Sequence, residues 1–71
     1  MLPSGFKKLS ELNDGELVRV CRKLGIEPGH TTNPRLLAMK IKDFVKSEKL
    51  KVKKFEDEII IEVSSYARWI I

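Results

Sequence analysis

One cysteine among 71 residues, Cys21, excludes an intrachain disulfide and makes an intracellular protein the simplest expectation, with nuclear or cytoplasmic placement left open. One histidine, His30, stands beside Thr and Asn. Alone it makes neither a metal site nor a general base with an orienting carboxylate, so it reads as a loop residue or a phosphate contact. No apolar run approaches the ~20 residues that span a bilayer, so no membrane partner is expected. The opening MLPSGFKKLS has no apolar core, and no signal peptide is expected. A Gly-rich phosphate loop, paired carboxylates and a Ser/His/Asp set are all missing. Glu56, Asp57, Glu58 and Glu62 do not follow the spacing of an EF-hand loop. The expectation is a protein that is not an enzyme, with no catalytic residue, no cofactor and no metal.

What is present suits one small domain. A chain of this size buries only roughly 60% of the surface it exposes when unfolded, and a deep cleft would compete with the core for residues. Hydrophobic residues make up 42% and charged residues 34%, the composition of a globular chain rather than a disordered tail. The net charge is +4, and it is unevenly placed. Residues 35–54 hold eight bases (Arg35, Lys40, Lys42, Lys46, Lys49, Lys51, Lys53 and Lys54) against Asp43 and Glu48, a local balance of +6. Such a flank attracts an acidic partner or is simply a solvated surface.

Residues 1–8 are expected as a flexible lead-in, because Pro3 and Gly5 oppose regular structure. Ser10 is a candidate cap for a short turn containing Leu9 and Leu12. A first helix is expected over 14–24, where Asn13 and Glu16 have capping-box spacing and Gly25 supplies a C-terminal stop. Leu17, Val20, Cys21 and Leu24 share its apolar face, and Cys21 reads as a buried structural thiol. A second helix is expected over 34–47, with Asn33 as cap and Pro34 in the first position. Leu37, Ile41, Phe44 and Val45 form its apolar face. Arg35, Lys42, Lys46 and Lys49 form a stripe on the other side, interrupted by Met39, which packs under a loop or belongs to a contact surface.

After Lys49 the period changes from helical to two. Leu50 and Val52 alternate with lysines, and Ile59, Ile61 and Val63 alternate with Ile60 and Glu62, which predicts a β-hairpin turning within FEDE. The tail SSYARWII reads as a helical turn or a further extended segment. The fold class is therefore α+β: a small single domain of two helices joined by an extended connector, plus a C-terminal β-hairpin. Its parts are the lead-in 1–8, a helix-connector-helix module 9–48, and a hairpin with packed tail 49–71. The expected core is Leu17, Val20, Leu24, Leu37, Ile41, Phe44 and Ile61.

The segment LSELNDGELVRVCRKLGIEPGHTTNPRLLAMKIKDFV, about half the chain, resembles the helix-extended-helix group of SAP domains, LEM domains and the N-terminal domain of the Rho terminator. Leu9, Leu17, Leu24-Gly25-Ile26, Leu37 and Ile41 look like its spaced aliphatic positions. Pro28-Gly29, Thr31-Thr32, Arg35 and Lys40-Ile41 look most like the LEM pattern. The step from Gly29 to Arg35 is one residue shorter than in LEM domains, whose second-helix aromatic is missing unless Phe44 replaces it. The Gly-Lys-x-x-Leu signature of SAP domains is also missing. The resemblance implies binding rather than chemistry, to nucleic acid or, in the LEM manner, to a DNA-bridging protein.

Two readings follow. In the first, the chain is a nucleic-acid-binding module for duplex DNA. Backbone N–H groups at the start of the second helix, with Thr31, Thr32, Asn33 and Arg35, meet phosphates. Lys42, Lys46 and Lys49 continue the site, and Lys51, Lys53 and Lys54 extend it on the hairpin like a wing. In the second, the chain is a protein-interaction adaptor whose basic face meets an acidic or DNA-bridging protein. Alternatively Ile60, Trp69, Ile70 and Ile71 form an apolar patch for a partner, a second copy or the next domain of a longer chain. Tyr66 and Trp69 are candidates for base stacking, against the simpler expectation that the only Trp fills the core.

Overall fold

The computed structural model describes residues 2–30, 33–66 and 69–70. The elements in chain order are β1 (Phe6–Lys8), a 3₁₀ turn (Leu9–Glu11), α1 (Asp14–Leu24), α2 (Pro34–Ser47), β2 (Lys54–Phe55) and β3 (Glu58–Glu62). Two helices and a three-stranded antiparallel sheet of order β1-β3-β2 make a small α+β fold.

Local chemistry sets the helix bounds. Asn13 Oδ1 accepts from the Glu16 amide at 2.8 Å, and Glu16 returns the contact to the Asn13 amide at 3.1 Å. This box satisfies donors that a bare helix start would orphan. α1 ends where Gly25 takes φ +76° and the Ile26 amide reaches back to the Cys21 carbonyl at 2.8 Å. α2 begins at Pro34 behind Asn33, whose Oδ1 accepts from the Arg35 amide at 2.9 Å. It ends on a different residue type. Lys49 occupies the left-handed position at φ +53°, and the Leu50 amide returns to the Val45 carbonyl at 3.0 Å.

The first eight residues are not all lead-in. Phe6–Lys8 pair with Ile60–Glu62 as the outer strand β1, on the far side of β3 from the hairpin. The 3₁₀ turn that follows starts after Lys8, whose amide is held by Glu11 at 3.2 Å. Ser10, expected to cap this turn, lies inside it and donates its hydroxyl to Glu58 of β3. The hairpin turns at Glu56 and Asp57, both at positive φ (53° and 63°), the pair of left-handed residues that suits the twist of a two-residue hairpin. The described tail begins as a turn, with the Tyr66 amide donating to the Glu62 carbonyl at 2.8 Å and Tyr66 at φ +57°, and pairs as an extended segment at its far end. Ile70 bridges Val52, and the Lys53 amide donates to the Trp69 carbonyl at 2.8 Å.

Leu17, Val20, Cys21, Leu37, Ile41 and Ile61 are buried together, joined by Leu9, Leu12, Val45, Val52, Ile59 and Trp69. Leu24 packs at the margin of this cluster, and Phe44, expected inside, is half-buried while Val45 takes the interior place. Trp69 is fully buried, and its indole N–H donates to the Tyr66 carbonyl at 2.9 Å. Burial pushes the Cys21 thiol above its ordinary range, with the charge of Lys40 opposing. That leaves it a protonated, inert core group.

Candidate nucleic-acid interface

Cations of α2 and the hairpin meet in an open groove of about 520 Å³. Lys42, Lys46, Lys49 and Lys54 rim it, Val45, Leu50, Val52 and Ile59 floor it, and Asp57 and Glu58 close the hairpin end. Lys42 also lines a second hollow of about 460 Å³ between the 3₁₀ turn and α2, with Ser10, Pro34, Arg35 and Met39. The two hollows share Lys42, so cations line them from the start of α2 to the hairpin, with Met39 among them. Among the described residues the ion pairs are Lys7 with Glu16 at 3.6 Å and Lys8 with Glu56 at 3.8 Å. None engages Arg35, Lys42, Lys46, Lys49 or Lys54.

Glu58 lines the groove beside Asp57, and its carboxylate is held by Ser10. The Ser10 hydroxyl and amide both donate to it, the amide at 3.4 Å. The Ser10 hydroxyl holds its pKa below the usual carboxylate range; burial opposes, and the Ser10 amide, Lys8 and Lys42 assist.

The expected site residues divide. Arg35, Lys42, Lys46, Lys49 and Lys54 line connected hollows. Lys53 does not join them. Its ammonium lies over the Phe6 ring, 5.0 Å from the centroid, because neighbouring residues of a strand point to opposite sheet faces. Lys51 is exposed beside the buried Val52 and lines neither hollow. Thr31 and Thr32 lie outside the described residues. Asn33 is committed to capping: its Oδ1 takes the Arg35 amide, and its carbonyl accepts from the Leu36 and Leu37 amides, each at 3.1 Å.

That capping bears on the phosphate contact expected at the start of α2. Pro34 has no N–H, and the next three amides of α2 are already bonded. In the connector the Gly29 amide donates to Glu27 at 3.2 Å. Lys40 turns away from the strip, donating to the Glu27 and Pro28 carbonyls at 3.4 and 3.2 Å and tying the connector to α2. The amides of Gly29, Arg35, Leu36 and Leu37 are thus engaged within the chain.

Neither aromatic of the tail stands ready to stack. Trp69 is enclosed, and Tyr66 donates its hydroxyl to Glu16 at 3.3 Å with the Arg19 guanidinium 5.8 Å from its ring. Ile60 is buried and Ile70 half-buried, so the apolar patch on which the adaptor reading drew is not open; Ile71 lies outside the described residues. Among the described residues the exposed large apolar side chains lie on α2 instead: Leu36 at 47% and Met39 at 55%. Met39 stood out as a break in the charge stripe. Leu36 gave a weaker signal, its position off the apolar face.

Among the described residues no group of three or more His, Cys, Asp or Glu is arranged to hold a metal ion. No helix among them is long and apolar enough to cross a membrane. Comparison with protein-family models, with curated proteins and with solved structures gave no match.

Proposed function

We propose that this chain is a small binding module, without catalysis of its own, that grips the phosphates of duplex DNA through the outer face of α2 and Lys54. The observation that carries the reading is the connected strip of five cations, Arg35, Lys42, Lys46, Lys49 and Lys54, none held by an ion pair among the described residues. Double-stranded DNA presents about one charge per 1.7 Å of axis, so a row of cations along a helix meets successive phosphates and releases their counterions. The absence of an exposed aromatic from the strip favours duplex over single strand, whose binders stack bases on aromatic rings. Of the helix-extended-helix group that the sequence resembles, the SAP and Rho N-terminal members point the same way, and the LEM pattern points to a DNA-bridging protein. The connector contributes through its hold on Lys40.

Fluorescence anisotropy with a mixed-sequence duplex across a salt series tests the reading. With about four phosphates neutralised, log affinity should fall against log salt with a slope near −3 to −4. Arg35→Ala and Lys42→Ala should each weaken binding to all sequences alike and flatten the slope by about 1, because phosphate contacts carry no sequence information. A salt-independent affinity, or indifference to both substitutions in folded protein, would remove the site from this face.

A further inference from the structure

α2 carries a second strip beside the cations. Leu36, Met39 and Asp43 follow one another at i, i+3 and i+7 and line a hollow of about 420 Å³ with Pro28, His30 and Lys40. Met39 belongs to both strips, since it also lines the hollow that holds Arg35 and Lys42. The second strip is mismatched to phosphate: two of its groups are apolar and exposed, and Asp43 repels an anion. The cation of that hollow, Lys40, is spent on connector carbonyls.

Base edges in the major groove have the complementary chemistry. Thymine offers a 5-methyl group and cytosine an amino donor, and the groove, about 12 Å wide, admits an α-helix. We infer that Leu36, Met39 and Asp43 face base edges while Arg35, Lys42 and Lys46 hold the flanking phosphates, with Met39 seated against thymine methyl groups. This inference rests on the duplex reading above and adds a sequence preference to it. The cations fix the helix on the backbone; the strip beside them discriminates.

The test compares an alternating A–T duplex with the same duplex carrying deoxyuridine for thymidine, which deletes only the methyl groups. The unsubstituted chain should lose about fourfold in affinity per methyl contacted, the equivalent of about 0.8 kcal/mol of apolar burial. Met39→Ala, at an exposed position, should melt like the parent and bind both duplexes equally. Arg35→Ala should weaken both and keep their ratio. Equal binding of the two duplexes by the parent chain, with the salt dependence intact, overturns this inference and leaves the duplex reading standing. No duplex binding at low salt overturns both. A self-association that Met39→Ala abolishes, without any methyl dependence, assigns the strip to a protein contact and overturns it too.

Discussion

The two helices pack on one core and use their outer faces differently. α1 is tied down. Glu16 alone serves its own cap, receives the Tyr66 hydroxyl and pairs with Lys7, and Arg19 lies over the Tyr66 ring. It ends on a glycine suited to the left-handed turn. α2 has an inner face as well buried, but it exposes Leu36 and Met39 and is followed by a lysine in the left-handed position; among the described residues the outer cations of both helices lack ion pairs. The proposed interface assigns α1 to the scaffold and α2 to the working surface.

The largest effect should show where the helices are alike. Leu17 and Leu37 are both enclosed, at 1% and 0% exposure. Leu17→Ala and Leu37→Ala should each destabilise by about 2–5 kcal/mol in urea melts, through lost transfer free energy and the cavity left behind. A near-native midpoint for either would break the assignment of a shared core.

The helix ends come next and should move in opposite directions. A Cβ at Gly25 would meet nothing within 4 Å, so Gly25→Ala is opposed only by its φ of +76° and should cost about 1–2 kcal/mol. Lys49→Gly relieves the same conformation and should stabilise by about 1 kcal/mol. The same change removes a cation from the groove, so the salt slope of duplex binding should flatten as the melting temperature rises. A variant that is both more stable and unchanged in binding would show that Lys49 holds its position for no reason of charge.

The ease of reading these features from sequence follows from their range. Asn13 with Glu16, Gly25, and Asn33 with Pro34 act within a few residues, so the caps are legible in the residue order alone. The same Asn33-Pro34 signal also implies that the start of α2 has satisfied amides, a consequence at odds with the expected phosphate contact there. β1 was not legible: three residues behind Gly5 show no period, and the partners Ile60–Glu62 lie more than fifty residues away. The far end of the tail was similar, because Trp69 and Ile70 are held by Lys53 and Val52 across the chain. The split between Lys53 and Lys54 was legible in principle from strand alternation. What sequence could not tell was which of the two faces α2, since that depends on register.

Smaller effects separate the two outer faces. Arg22→Ala on α1 and Lys46→Ala on α2 remove exposed cations and should each change stability by less than about 0.5 kcal/mol. Only Lys46→Ala should reduce duplex affinity. Equal losses from both would mean that charge in general, rather than the α2 strip, draws the ligand.

The smallest effect asks whether the strip is truly unpaired. Glu58 lines the groove with Lys42, and its lowered pKa has the Ser10 hydroxyl as its largest cause, with Lys42 last. A carboxylate lowered in the folded state contributes stability above its unfolded pKa, and that contribution is lost as pH falls through the folded value. Ser10→Ala should therefore raise the Glu58 pKa toward the ordinary range, read by carboxyl NMR titration, and weaken the dependence of stability on pH in the acid limb. Lys42→Ala should move the same resonance less. If the order is reversed, Glu58 is bound to Lys42 rather than to Ser10. The groove then carries its own counter-charge, and the contrast between a tied α1 and an open α2 narrows to Arg35, Lys46, Lys49 and Lys54.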